Sequence, residues 1–394
     1  MSKNKNKIPV IVFTNRGHTQ RDHIESVSGH AQIPQIVCNK LYSADYDVTF
    51  ITPRSAKDDD ILAILDHRIK VRLVYNATPR FRSGGLNHLK LLFLIAQLYR
   101  IFRQNKGSII HFFGMKRVGL LLGLLSLIGG PSYSVFTAVH YYKPSENNFL
   151  RMIECYLLRQ IDCILPTSQY IAEIFERIGV QITGVLRPGL HKDFKESVDW
   201  LNKHEHVSRK SVLYWRDATY GNGVDIAIHV YRRLAPKYRE IDFVFAIRHM
   251  EYFSLQIEAL SIKYPNVHVH FFPYKNGIRL EKLLRSAICV LLPMRSLSIH
   301  PQFAILETMQ AGVPLVTTNI ESNNEVIKSG INGILFGPGD IAAACKAVET
   351  FIHDPMLRVS ISTEAIKAVE ISHCYNIFTK SLMRIYDDLL NFNK

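Results

Sequence analysis

The chain has 394 residues, of which 47% are apolar and 21% are charged. This length and apolar content allow two domains with separate hydrophobic cores, and they exclude an intrinsically disordered chain. The six cysteines are scattered without a C-x-x-C pair, which favours buried thiols in a cytoplasmic protein over a disulfide framework or a zinc site.

The net charge of +14 is concentrated in the first half of the chain. Residues 1–190 carry 24 basic and 13 acidic side chains, whereas residues 191–394 carry 24 and 21. A basic domain favours an anionic partner, either a membrane surface or a nucleic acid. No helix-turn-helix, zinc-finger or aromatic RNA-binding pattern accompanies the charge, so we expect no nucleic-acid partner. The longest apolar stretch, residues 118–128, is too short for a membrane span, and the segment before Ile8 lacks the apolar run of a signal peptide.

The first half alternates short apolar, β-branched segments with segments of helical periodicity. Strands are predicted at residues 8–14, 47–52, 71–74, 108–112, 133–139, 163–166 and 184–186, and helices at 29–41, 86–102, 118–128, 149–159 and 171–178. This alternation predicts a parallel sheet with helical crossovers.

The alternation restarts after a polar, charged segment at residues 192–210. Strands are predicted at residues 211–215, 242–247, 267–272, 289–293, 314–318 and 333–336, and helices from 224, at 279–286, at 302–311, at 341–353 and onward to the end. The predicted organisation is an N-terminal domain (1–190), a linker (191–210), a C-terminal domain (211–375) and a final helix (376–394) that could pack back on the N-terminal domain. The fold class is α/β, with two doubly wound Rossmann-like domains, whose ligand is expected beyond the strands' carboxyl ends, in a cleft between the domains.

The most specific pattern spans residues 300–340, HPQFAILETMQAGVPLVTTNIESNNEVIKSGINGILFGPGD. A helix is predicted after Pro301, and its amino end, near Phe303 and Ala304, offers unpaired amides that suit a phosphate. Glu307 lies about one turn into this helix, where a carboxylate can accept hydrogen bonds from the hydroxyls of a ribose. An isolated glutamate in a helix is more often simply solvated.

The order and spacing of this segment resemble the donor-site signature of glycosyltransferase family 4. That signature is a Glu-containing helix followed by A-x-G-x-P, a strand, N-E-V-I and G-x-L-x-x-P-G-D. The matching residues are Glu307, Thr308, Met309, Ala311, Gly312, Pro314, Glu325, Val326, Ile327, Gly333, Leu335, Pro338, Gly339 and Asp340.

The resemblance implies a GT-B fold and metal-independent transfer, with retention, from a nucleotide-sugar co-substrate, and it places Glu307 on the ribose. The family has an earlier glutamate that contacts the donor sugar, and its position is Ile299 here, beside His300. The identity of the sugar therefore stays open. The local string H-P-x-F-x-x-L-E is similar to that of rhamnosyltransferases of bacterial surface glycans, whose donor is a deoxythymidine-diphosphate sugar.

Residues 211–228, SVLYWRDATYGNGVDIAI, resemble the family's G-R-x5-K-G loop. Arg216 stands at the arginine position, where a guanidinium can hold the donor diphosphate and stabilise the leaving nucleotide. The lysine position is Asn222, which brings no charge. An isolated arginine at a strand end is otherwise a common surface cation.

Four weaker matches complete the expected site. The resemblance places His140 near the hydroxyls of the donor sugar, with His111 as a second candidate. It places Gly29 at a glycine-rich loop near the phosphates or the acceptor, although the family's double glycine is missing and a helix cap explains Gly29 equally well. Pro273 and Tyr274 would lie nearest the nucleotide base, or else form an ordinary turn. Ser168 also matches the family but is interpreted as structural.

The run Asp58–Asp60 spells D-x-D, but acidic residues at a helix start are explained by the helix dipole, so we expect no metal and no cofactor. Residues 79–106 combine basic side chains with apolar helical spacing, which favours either an anionic membrane surface or a core-packed helix with a solvated face. Attachment to the inner face of the cell membrane would suit a lipid-linked acceptor.

The function that these patterns favour is a retaining glycosyltransferase of surface polysaccharide or glycoconjugate synthesis, acting on a glycan or lipid-linked acceptor. Its expected catalytic set is Arg216, Glu307 and His140. The main alternative is a non-catalytic GT-B subunit that binds a partner enzyme or glycan, which the changes at residues 222 and 299 favour. A sugar-nucleotide epimerase and a nucleic-acid binder are further alternatives.

Overall fold

The computed structural model describes residues 7–14, 29–53, 65–74, 86–130, 132–140, 142–191, 194–196, 199, 210–248, 251–272 and 279–391, with the backbone alone at 29–32, 53, 86–90 and 251. The chain forms two compact units. Unit 1 comprises Met1–Pro188 and Phe378–Lys394, and unit 2 comprises Gly189–Ile377. Each unit contains one six-stranded sheet.

The sheet of unit 1 has the order β3-β2-β1-β4-β5-β6, and all its pairs are parallel. Its strands are β1 (Pro9–Thr14), β2 (Asp47–Pro53), β3 (Lys70–Val74), β4 (Ile109–Gly114), β5 (Tyr133–Ala138) and β6 (Cys163–Pro166). Its helices before the second unit are α1 (Gly29–Ser43), α2 (Leu86–Gln104), α3 (Lys116–Leu127), α4 (Asn148–Leu158) and α5 (Gln169–Arg177). The central strands are apolar on both faces because helices cover both faces of the sheet.

The strand predicted at residues 184–186 is wrong. This segment lies beside β6 and donates from Leu186 to the carbonyl of Pro166 at 2.9 Å, but it forms no strand. A three-residue stretch between Gly184 and Pro188 is too short to build a ladder, and a proline cannot donate to one.

The sheet of unit 2 is also parallel throughout, with the order β12-β11-β10-β7-β8-β9. Its strands are β7 (Ser211–Tyr214), β8 (Asp242–Arg248), β9 (Val267–Phe272), β10 (Ala287–Leu292), β11 (Leu315–Thr318) and β12 (Ile334–Phe336). The helices that follow α5 are α6 (Val224–Leu234), α7 (Glu251–Lys263), α8 (Leu280–Ser286), α9 (Phe303–Gln310), α10 (Asn323–Val326), α11 (Ile341–His353), α12 (Pro355–Ser372) and α13 (Tyr375–Asn391).

Most of helix α13 belongs to unit 1. The hydroxyl of Tyr386 lies 2.8 Å from Nδ1 of His111, and Nε2 of that histidine lies 2.7 Å from the hydroxyl of Thr137. All three side chains are buried. The last helix of the chain therefore completes the core that the first strands begin.

The helices within the described ranges include none that is both long and apolar enough to cross a membrane.

Candidate functional site

The strand order of unit 2 changes direction at β7, which pairs with β8 on one side and with β10 on the other. In doubly wound sheets, the connections leaving the two strands at such a point turn to opposite faces and leave a crevice beyond the carboxyl ends, where ligands bind. Two loops begin here: residues 215–223 follow β7, and residues 293–302 follow β10. These two loops therefore form the candidate site.

The two loops touch each other through their backbones. Gly223 has a φ of 72°, and a Cβ atom placed on it would lie 1.7 Å from the carbonyl oxygen of Pro293. The backbone N–H of Arg295 donates to the carbonyl of Gly221 at 2.9 Å. Only glycine fits at position 223, because both the positive φ and the close approach exclude a side chain.

The loop after β7 is also tied to helix α9. The indole N–H of Trp215 donates to the hydroxyl of Thr308 at 3.1 Å, and that hydroxyl donates to the carbonyl of Ala304 at 2.7 Å. The capping residue, Gln302, makes no side-chain hydrogen bond to the amides of the helix. The amides of the first turn, at Phe303 and Ala304, thus carry the partial positive charge of a helix amino end at this edge of the sheet.

Arg216 and Glu307 lie close enough to interact electrostatically. Burial raises the pKa of Glu307 to about 7, and the positive charge of Arg216 opposes this rise. Nε of Arg216 is buried without a hydrogen bond, and no ion pair of this side chain is found within the described ranges. Among the described residues, the guanidinium of Arg216 therefore forms no ion pair within 4 Å, and it lies near a carboxyl group whose pKa is about 7.

Glu281, at the start of α8, is a residue that the sequence analysis missed. Its negative charge also raises the pKa of Glu307, and its Oε2 is buried without a hydrogen bond. No motif marks this glutamate, because its interaction with Glu307 follows from the folded structure and not from a spacing in the sequence.

Two further arginines at this edge were missed, although both follow the carboxyl end of a strand, which is the signal that could have found them. Arg248 ends β8 and lies 3.4 Å from a carboxylate oxygen of Asp217. Arg295 pairs with Asp225 and stacks over the ring of Tyr220, with 4.2 Å between the guanidinium and the ring centroid. Both arginines have carboxylate partners, which distinguishes them from Arg216.

Asn222 and His300 are engaged inside the protein. The side-chain amide of Asn222 donates to the carbonyl of Asp217 at 3.0 Å and so stabilises its own loop. His300 is buried, with Nδ1 2.9 Å from the hydroxyl of Ser322. Both residues shape the site through these internal contacts.

The remaining described candidates belong to unit 1. His140 is buried just after β5, and Gly29 begins α1. His111 is unsuited to the reacting centre, because it lies inside β4 with both ring nitrogens engaged, and burial lowers its pKa to about 3. Ser168 caps α5 by accepting from the N–H of Ile171, which confirms its interpretation as structural.

Several predicted positions lie outside the described residues. They are Asp58–Asp60, residues 79–85, Pro273 and Tyr274.

Two family models match the chain, one for each half. Residues 7–168 match the family described as "Glycosyl transferase 4-like", and residues 199–368 match the family described as "Glycosyl transferases group 1".

Curated relatives match over shorter stretches. An uncharacterized glycosyltransferase of Methanocaldococcus jannaschii is 26% identical over 180 residues, which are 45% of this chain and 44% of the relative. A glycogen synthase of Mycobacterium tuberculosis is 26% identical over 211 residues, or 52% of this chain and 48% of the enzyme. The matched regions thus span about half the length of these relatives.

Solved structures resemble the whole chain. HepE from Anabaena, solved in complex with UDP, has a TM-score of 0.72 at 16% identity and covers 96% of this chain and 100% of its own. Sucrose-phosphate synthase from Thermosynechococcus elongatus has a TM-score of 0.74 at 16% identity, covering 98% of this chain and 100% of its own. With both halves matched by glycosyltransferase families and both sheets doubly wound, the chain belongs to the family 4-like glycosyltransferases of the GT-B fold.

Proposed function

We propose that this protein transfers a sugar, with retention and without a metal, from a nucleoside-diphosphate sugar to a glycan or lipid-linked acceptor. The observation that carries the proposal is the guanidinium of Arg216, which forms no ion pair among the described residues, beside Glu307 and the amino end of α9. A diphosphate is the ligand that such a combination suits, because a guanidinium binds phosphate oxygens in pairs and helix amides bind them singly.

Each group has a distinct task in the proposed reaction. Arg216 and the amides of Phe303 and Ala304 hold the diphosphate and neutralise the charge that grows as the nucleotide leaves. Glu307, once ionised, accepts hydrogen bonds from the ribose hydroxyls. The bond between the anomeric carbon and the diphosphate oxygen breaks while the acceptor oxygen bonds to the same face of that carbon. The departing phosphate oxygen takes the proton of the acceptor hydroxyl.

Retention and the contact of His140 with the donor sugar rest on the family resemblance. His140→Ala tests the latter, since it should lower the rate of transfer while leaving the affinity for the free nucleoside diphosphate unchanged.

Two nucleotides are candidates for the nucleotide part of the donor. HepE, with which the whole chain shares its fold, was solved with UDP and with UDP-glucose. The string H-P-x-F-x-x-L-E points instead to a deoxythymidine nucleotide. Titration calorimetry with UDP, dTDP, GDP and ADP decides between them, and binding of none would contradict the proposal.

A non-catalytic binding subunit is the second candidate. The amide of Asn222 is used within its own loop, and Ile299, at the position of the family's earlier glutamate, is buried. Both findings reduce the polar groups available to a donor. Hydrolysis or transfer of the nucleotide sugar that matches the bound diphosphate would exclude this candidate, and binding without turnover would favour it.

We further propose that unit 1 binds an anionic membrane surface, for surface polysaccharide or glycoconjugate synthesis. Helix α4 turns an apolar stripe to solvent, formed by Phe149, Met152, Ile153 and Tyr156, which are 40–64% exposed. On α2, which also packs against α3, Leu92 and Phe93 are exposed as well.

The charge of this half of the chain favours a bilayer over a second protein copy as the occupant. Residues 1–190 carry 24 basic against 13 acidic side chains. Apolar side chains that enter a bilayer, combined with basic residues near anionic headgroups, are the usual basis of peripheral membrane binding.

A further inference from the structure

Glu321 has an unusual backbone conformation on the loop between β11 and α10. Its φ is 46°, in the left-handed region where residues other than glycine, asparagine and aspartate are uncommon. Such a conformation costs free energy, and it persists where the surrounding structure holds the residue in place. Glycine would occupy this position without strain, so the presence of glutamate calls for a role of its side chain.

The side chain of Glu321 lies against the loop that leads into α9. Its Oε2 accepts a hydrogen bond from the backbone N–H of Leu297 at 2.9 Å and lies 3.6 Å from Nε2 of His300. The imidazole of His300 is completely buried, and its Nδ1 contacts the hydroxyl of Ser322 at 2.9 Å. One hydrogen bond, from Leu297, therefore holds the carboxylate on this loop, and the imidazole of His300 lies beside the same oxygen.

The other oxygen, Oε1, has no hydrogen bond within the described part of the chain, and the side chain keeps 22% of its surface exposed. His300, which contacts Glu321, precedes Phe303 by only three residues, so the carboxylate lies close to the amino end of α9. In the proposed function this helix end holds the diphosphate. A sugar joined to that diphosphate would present its hydroxyls, which are hydrogen-bond donors, to an acceptor held nearby.

We propose that Glu321, positioned by His300, accepts hydrogen bonds from the hydroxyls of the donor sugar. This inference rests on the proposed function, because it places the sugar beside the diphosphate site. It also supplies an acceptor near position 299, where the buried side chain of Ile299 can offer none.

The charge of Glu321 narrows the class of donor sugar. An anionic carboxylate accepts strong hydrogen bonds from hydroxyl groups, and it repels a second anion at short range. The site therefore favours neutral hexoses or deoxyhexoses with free hydroxyls and disfavours uronic acids.

The test compares the affinity of each nucleotide sugar with that of its own nucleoside diphosphate by titration calorimetry. The probes are UDP, UDP-glucose, UDP-galactose, UDP-glucuronate, dTDP and dTDP-glucose. The variants are Glu321→Gly, which relieves the backbone, Glu321→Gln, which keeps the shape, and Glu364→Gln as a control that removes an exposed carboxylate from α12.

For the wild-type protein and Glu364→Gln, a neutral nucleotide sugar should bind at least tenfold more tightly than its diphosphate. Glu321→Gly should abolish this gain, Glu321→Gln should reduce it, and both should leave the affinity for the diphosphate within about twofold. The melting temperature of Glu321→Gly should not fall, because glycine accepts the left-handed backbone.

The outcomes separate the two proposals. If none of UDP, dTDP, GDP and ADP binds the wild-type protein, the proposed function fails. The assignment of Glu321 is overturned if a diphosphate binds but the wild-type protein binds the nucleotide sugar no more tightly than the diphosphate. It is also overturned if Glu321→Gly still binds the nucleotide sugar more tightly. A fall in melting temperature with an unchanged gain would show that the carboxylate only fastens the loop at Leu297.

Discussion

Trp215 donates its indole N–H to the hydroxyl of Thr308, so the residue before Arg216 is bonded to the residue after Glu307. The two charged groups of the candidate site are thereby held in a fixed relation by a neutral hydrogen bond between their neighbours. Removing this hydrogen bond by mutation would therefore disturb the site while both charged groups remain.

Thr308→Val should destabilise unit 2 by about 1 kcal/mol more than Thr350→Val, as measured by urea denaturation. Both threonines donate to the carbonyl four residues earlier, at 2.7 and 2.9 Å, but only Thr308 also accepts from Trp215. Thr308→Val should also weaken binding of a nucleoside diphosphate. Equal effects of the two substitutions would show that the indole bond does not hold the loop.

Arg216→Ala should weaken binding of a nucleoside diphosphate by about 10- to 100-fold, which corresponds to the loss of a charged hydrogen-bond donor. Arg216→Lys should recover part of the loss, since an ammonium keeps the charge but not the paired geometry. Calorimetry provides the measurement, and Arg232→Ala, an exposed arginine on α6, is the control. Unchanged affinity in Arg216→Ala would remove the basis of the proposed site.

The affinity for a nucleoside diphosphate should rise as the pH increases through about 7. Burial and the charge of Glu281 raise the pKa of Glu307 to about 7, Arg216 lowers it, and only the ionised carboxylate accepts strongly from ribose hydroxyls. Calorimetry from pH 5.5 to 8.5 measures this dependence. Glu307→Gln should be weaker above pH 7 and show no such rise.

The same carboxyl group should affect the stability of the ligand-free protein. A folded-state pKa above the ordinary value of 4.5 gives stability that is fully present below pH 4.5 and is lost as the pH rises through about 7. Glu307→Gln should therefore raise the melting temperature more at pH 8 than at pH 5. An equal change at both values would contradict the assignment of the raised pKa to Glu307.

Gly223→Ala should be strongly destabilising, by more than about 3 kcal/mol, because it adds a steric clash to an unfavourable φ. Gly330 is the matched control, since its φ is 82° and no atom lies within 4 Å of its ideal Cβ position. Gly330→Ala should cost only about 1 kcal/mol, for the backbone alone. Denaturant unfolding of the two variants measures the difference, and similar values would show that the contact with Pro293 yields easily.

Replacing Phe149 and Met152 together with serine should reduce sedimentation with vesicles of phosphatidylglycerol and phosphatidylcholine, and high salt should reduce it for every variant. The matched control replaces Met356 and Val359, which have the same spacing on α12 and are 78% and 63% exposed. Because all four side chains face solvent, melting temperatures should stay unchanged. Vesicle binding unaffected by the first pair, or a wild-type dimer that this pair abolishes, would contradict membrane docking.

Much of the fold follows from local patterns in the sequence. Strands such as β4 and β10 are buried on both faces, so their apolar runs stand out. Helix α7 was not predicted, because exposed Tyr252, Leu255 and Ile262 interrupt the spacing of its buried residues. The four-residue helix α10 is too short to show any period.

The candidate site was predictable where a loop carries a recognisable order of residues, as at Arg216 and Glu307. Glu281 was not, because it comes from a different helix and no motif marks it, and Glu321 was not, although it lies within the 300–340 segment, because its backbone conformation and its contact with Leu297 are visible only in three dimensions. Asn222 shows a further limit of prediction from sequence. The sequence identifies the side chain, but only the structure shows that its amide donates to the backbone carbonyl of Asp217.

The hydrogen bond between His111 and Tyr386 joins two residues that are synthesised far apart in time, because unit 2 lies between them in the sequence. The whole of unit 2 is made between the two partners, so it can close its sheet while the chain is still on the ribosome. The packing around His111 is completed only when the final helix has been made. A premature stop codon after Ile377 would therefore spare unit 2 and damage unit 1, although unit 1 begins the chain.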